Sequence, residues 1–143
     1  MKDVAVAVSR FNEEITDALL KSFLKTLRDE GWPQKRVKVV LVPGGYELPW
    51  AVNELARSGR YAAVAALGCV LRGSTRQNEH ISRSLVQTLH RVCVETRVPV
   101  ILGVITPDTW AQGLARTKGK LDRGREAALA TLEMAALREE LRG

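Results

Sequence analysis

The chain is poor in the residues that specialised architectures depend on. Seven aromatics (Phe 2, Tyr 2, Trp 3) among 143 residues leave no aromatic-basic stacking platform of the kind single-stranded nucleic acids need. With only two cysteines, Cys69 and Cys93, neither a disulfide framework nor a metal-ligand spacing exists, and two reduced, largely buried thiols are expected. No apolar run approaches the length that spans a bilayer, and Met1-Lys2-Asp3-Val4 runs straight into a strand pattern. The expectation is a cytoplasmic protein without membrane contact. Internal repeats, linkers and low-complexity stretches are also missing. Residues 1–143 are therefore read as one domain, long enough to bury a core.

Charge is the feature in excess, at 22 Lys and Arg against 16 Asp and Glu, a formal +6. The arginines are interleaved with acids, as in Arg138-Glu139-Glu140-Leu141-Arg142, which is the pattern of a solvated helix face. Nucleic acid is not the expected partner. A small phosphorylated ligand would need only one or two of these cations.

The apolar pattern alternates between two periods. Val4 to Val8, Val37 to Val42, the run from Tyr61 to Leu67, and Val98 to Thr106 are short and apolar, as in strands covered on both faces. Between them, Ile15, Leu19, Leu20, Phe23, Leu24 and Leu27 recur at helical spacing, with Asn12 as N-cap and Gly31 and Pro33 as the stop. Further helices are expected from Pro49 to about Ser58, from Arg76 to about Arg97, from Thr109 to Thr117 and from Asp122 to Leu141. Lys118-Gly119-Lys120 separates the last two. Strands alternating with helices argue a doubly wound parallel sheet, and such sheets bind ligands beyond the carboxyl ends of their strands.

Those ends are chemically unusual here. They carry Phe11-Asn12, then Pro43-Gly44-Gly45-Tyr46-Glu47-Leu48-Pro49, then Gly68-Cys69-Val70-Leu71-Arg72-Gly73-Ser74-Thr75-Arg76-Gln77, and finally Thr106 and the turn after it. Paired glycines permit close backbone approach or positive φ. Ser74 and Thr75 suit the start of the third helix, where free N–H groups attract anions.

Together these four turns resemble the lumazine synthase family. The matching pieces continue through Val98-Pro99-Val100-Ile101-Leu102-Gly103-Val104-Ile105-Thr106, Gln112, Arg116, Lys120, Gly124, Glu126-Ala127-Ala128 and Met134, in order and nearly in register. The resemblance implies a flavodoxin-like three-layer α/β/α sandwich with a four-stranded parallel sheet in the order 2-1-3-4. It implies a transferase that condenses 5-amino-6-ribitylaminouracil with 3,4-dihydroxy-2-butanone 4-phosphate to 6,7-dimethyl-8-ribityllumazine, without metal or redox cofactor. By similarity Phe11 stacks on the pyrimidine, beside Asn12. Gly45, Tyr46 and Glu47 hold the ribityl chain and ring edge, and Cys69, Val70 and Leu71 line the heterocycle slot. Ser74, Thr75 and Arg116 bind the phosphate, and Lys120 lies near. Sites in this family lie between subunits, so the resemblance implies a pentamer or a pentamer-based shell, and riboflavin synthase as a further partner.

The chain departs from that family at three places. Gln77 occupies the position of the proton-shuttling histidine and does not titrate. His80, three residues on and on the same helix face, is the candidate substitute. Leu102 replaces a phenylalanine that reaches into a neighbouring subunit's site, and the segment from Arg116 to Gly124 is shortened, with Lys118 in place of a glycine. Because of Gln77, a weakly or non-catalytic relative that binds lumazine or flavin, or builds a shell, stands as the alternative. A flavodoxin-like electron carrier does not fit, because Ser9-Arg10-Phe11-Asn12-Glu13 lacks a hydroxyl-rich phosphate cradle.

Overall fold

A computed structural model describes residues 1–72 and 76–142. Four strands, β1 (Asp3–Ser9), β2 (Val37–Val42), β3 (Tyr61–Cys69) and β4 (Val100–Ile105), form one all-parallel sheet in the order β2-β1-β3-β4. Among the described residues the α-helices are α1 (Glu13–Asp29), α2 (Leu48–Arg57), α3 (Arg76–Thr96), α4 (Trp110–Ala115) and α5 (Arg123–Arg142). The flavodoxin-like sandwich and its strand order are as the sequence implies.

The two-residue period of β1 sorts the layers. Val4, Val6 and Val8 face one way, onto Ile15, Leu19, Phe23 and Leu27 of α1 and Ala127 and Ala128 of α5. Ala5 and Ala7 face the other way, onto Leu48 and Val52 of α2 and Leu85 and Leu89 of α3. In β3 the same division puts Ala63, Ala65 and Leu67 in the first core and Val64 and Ala66 in the second. Alanines on these central strands let the helices sit close to the sheet.

Two expectations are corrected. β2 is not a buried strand; it pairs only with β1, and Val42 alone along it is buried, while Leu41 is 57% exposed. As an edge strand it still reads as apolar because Val37 and Val39 lean on the first core and Val40 and Val42 on the second. Asn12 does not cap α1 with its side chain. Its backbone is left-handed (φ 64°, ψ 49°), a conformation asparagine tolerates, and its carbonyl accepts from the N–H groups of Ile15 and Thr16. The amide side chain turns elsewhere. Gly31 does end α1 as expected, at φ +86°, with Trp32 N–H donating to the Leu27 carbonyl at 2.8 Å.

Candidate active site at the carboxyl edge of the sheet

Hydrogen bonds continue beyond the strand ends and tie the turns side by side. Arg10 N–H donates to Val42 O at 2.8 Å, Phe11 N–H to Pro43 O at 3.0 Å, Val70 N–H to Ile105 O at 2.9 Å and Arg72 N–H to Pro107 O at 3.0 Å. Between the first and third turns the link is the Asn12 side chain, whose Nδ2 donates to the Cys69 carbonyl at 2.9 Å.

This fastening frames a hollow of about 360 Å³. Phe11, 71% exposed, lines it. So do Gly44-Gly45-Tyr46 and Cys69-Val70-Leu71, with Asn78 and Ile81 of α3. Close approach, rather than positive φ, explains the glycine pair. Gly44 is extended (φ −147°), and a Cβ on Gly45 would meet Val70 Cγ2 at 3.2 Å. Glu47 supports this turn from below, its Oε1 accepting the Gly44 N–H at 2.9 Å. Pro49 sits in the first turn of α2 as expected. Burial pushes the Cys69 thiol up to about 11, and the Arg116 charge opposes this only in part. The thiol is thus a neutral wall of the slot, not a nucleophile.

A second hollow of about 370 Å³ runs along the outer edge of β4. Arg72, Arg116 and Arg123 converge on it with a single acid, Glu126, which pairs with Arg123 at 3.2 Å. Among the described residues, neither Arg72 nor Arg116 forms an ion pair, so the hollow carries uncompensated positive charge suited to an anion. Arg116 is half-buried and pinned through its backbone, its N–H donating to Gly113 O and its carbonyl accepting from Arg123 N–H at 2.8 Å. α4, which presents it, is capped by the Thr109 hydroxyl accepting from Gln112 N–H at 3.1 Å. Leu102 lines this hollow and is 50% exposed.

Phe11 and Arg116 therefore line two different hollows of one chain. Lys120, exposed in a short 3₁₀ turn (Gly119–Leu121), lines neither. Gln77 is exposed on the first turn of α3 and also lines neither. His80 is exposed and lines a third groove, between α2 and α3, with Pro49, Trp50 and Thr88. Tyr46 and Ile81 belong to both that groove and the slot, forming the wall between them. Ser74 and Thr75 lie outside the described residues. Asn78, Ile81, Arg72 and Arg123 were not singled out from sequence. The buried stripe of α3, Ser82, Leu85, Leu89 and Val92, could have found the first two when extended back by a turn.

The sequence was compared with known proteins. The family model described as 6,7-dimethyl-8-ribityllumazine synthase matches residues 2–139. Proteins bearing that name include one from Xylella fastidiosa, 42% identical over 137 residues covering 95% of this chain and 89% of its own. One from Salinibacter ruber is 41% identical over 140 residues, covering 97% and 90%. Another, from Edwardsiella ictaluri, is 45% identical over 133 residues, covering 92% and 85%. With strand order, turn register and a match over nearly all its length in agreement, the chain belongs to the 6,7-dimethyl-8-ribityllumazine synthase family.

Proposed function

We propose that this protein condenses 5-amino-6-ribitylaminouracil with 3,4-dihydroxy-2-butanone 4-phosphate, releasing phosphate and forming 6,7-dimethyl-8-ribityllumazine in riboflavin biosynthesis. The observation that carries the reading is the pair of hollows, one lined by an exposed aromatic, the other cationic. Phe11 stacks on the pyrimidine, which the Cys69-Val70-Leu71 wall faces. The turn Gly45-Tyr46-Glu47 holds the ribityl chain and ring edge, and Asn12 lines the slot beside Phe11. Arg116 takes the phosphate, a role the family resemblance extends to Ser74, Thr75 and Lys120. Phosphate is the leaving group, so a fixed guanidinium stabilises charge that grows as the bond breaks.

Because the slot and the cationic hollow are separate on one chain, the complete site forms where the β4 edge of one copy meets the Phe11 turn of another. Exposed Phe11, Tyr46, Trp50 and Leu102 support such contacts. A homopentamer, or a shell built from pentamers, provides them in a closed ring. In this reading the chain is a single cytoplasmic domain, and riboflavin synthase uses its product.

Acid–base chemistry is the weak side of the site. Gln77 cannot shuttle a proton, and His80 faces the neighbouring groove. General acid–base catalysis contributes roughly 10²- to 10⁴-fold, whereas orientation of two bound reactants supplies effective molarities of about 10⁵ M or more. Turnover then rests on orientation and phosphate stabilisation, and is slowed, not abolished, by the glutamine. The relatives' names favour this enzyme over the binding or shell-forming alternative. The test is to supply both substrates to purified protein and follow the lumazine chromophore against an enzyme-free control. Formation well above the control is expected; a rate equal to it contradicts the proposal.

A further inference from the structure

We propose that Asn12 is a positioning residue that sets the width of the ring slot by fastening the Phe11 turn to the end of β3. The inference rests on the reading of that slot as the pyrimidine half of the site. Three features of Asn12 converge. Its left-handed backbone (φ 64°, ψ 49°) breaks the line between β1 and α1, so the side chain points across the turn instead of along the helix axis. Its Nδ2 donates at 2.9 Å to the carbonyl of Cys69, 57 residues away. And both partners line the same hollow, Asn12 next to Phe11 in the chain and Cys69 next to Val70.

The alternatives for holding these walls together are few. Toward β2 the Phe11 turn is fixed by its own backbone, through Arg10 to Val42 and Phe11 to Pro43. Toward β3 the paired register stops at Val8 and Leu67, before either turn begins. Beyond that rung, the Asn12 amide is the one hydrogen bond among the described residues that joins the two turns. It also commits one of the amide's N–H groups inside the protein, so the side chain acts on the substrate chiefly by placing Phe11. Slots of this kind hold a ring between facing walls, and misplacement by about 1 Å is enough to cost orientation.

The chemistry of the carbonyl partner selects clean variants. Asn12→Asp keeps the shape and the tolerance of left-handed backbone but offers no donor to the carbonyl. Asn12→Gly keeps the backbone freedom and removes the side chain. The measurement is fluorescence titration with 6,7-dimethyl-8-ribityllumazine, together with KM for each substrate. Loss of this half-buried hydrogen bond predicts affinity for the lumazine weakened roughly tenfold in both variants. KM for the ribitylaminouracil rises in parallel, while KM for the sugar phosphate stays within about twofold of the native value. A purely structural asparagine would lower the melting temperature and leave that ratio of KM values unchanged, which overturns the proposal. Native affinity for the lumazine in the folded Asn12→Asp protein also overturns it, with the functional reading intact. If the native protein neither binds nor forms the lumazine, the functional reading itself fails and takes this inference with it.

Discussion

Cys69 shows how one side chain is set by its surroundings. This residue, 4% exposed and lining the slot, ionises only near pH 11, because burial disfavours the thiolate more than Arg116 favours it. The folded chain thus holds this proton more tightly than the unfolded chain, whose thiol titrates near the ordinary value of 9.0. The resulting contribution to stability is complete below pH ~9 and is lost as pH rises toward the folded value. The thiolate is the reactive form, so Cys69 in the folded protein is predicted to alkylate at least about tenfold more slowly at pH 8 than in the unfolded chain. Peptide mass spectrometry after timed iodoacetamide treatment reads this directly, and equal rates would contradict it. Residue identities in the turns were legible in the sequence, but their hydrogen-bond partners were not. Asn12 looked like an N-cap because its neighbours Glu13 and Glu14 suit a first helical turn. Its left-handed backbone and its bond to Cys69 depend on a strand 57 residues away, which local spacing cannot reveal.

At the scale of elements, the crossing of α1 and α5 sets how the β4 hollow is walled. Gly124 lies at the closest approach, where a Cβ would fall against the backbone carbonyl of Leu19 and meet Ser22 Cβ at 3.0 Å. Backbone cannot yield as a side-chain tip can, so Gly124→Ala must push the helices apart. Overpacking of this sort costs about 1–3 kcal/mol, and each kcal/mol lowers the melting temperature by roughly 2–4 °C in a domain of this size. Thermal unfolding of the variant is predicted to show that loss; an unchanged midpoint would mean the crossing is looser than described. Element types followed from the two apolar periods, and helix ends from Gly31, Pro49 and Thr109. The edge character of β2 did not, because Lys38 alone interrupts the apolar run from Val37 to Val42. Only sheet order tells which strand has a single neighbour.

For the whole molecule, the question is how two hollows become one site. The sequence made the participants visible and the family resemblance implied a common site, yet one chain keeps Phe11 and Arg116 in separate hollows. In the function proposed here, association of copies joins them, a property that no residue pattern within one chain displays. The measurement that tests this most directly is complementation between two defective proteins. Phe11→Ala spoils the slot and Arg116→Gln spoils the cationic hollow; each alone should form lumazine poorly. Dissociated, mixed in equal amounts and reassembled at random in a ring, they regain an intact slot facing an intact hollow at about a quarter of the interfaces. The account predicts that the mixture recovers about a quarter of the native rate of lumazine formation. A mixture no more active than the two variants assembled separately would contradict it, because both halves of the site would then have to come from the same chain.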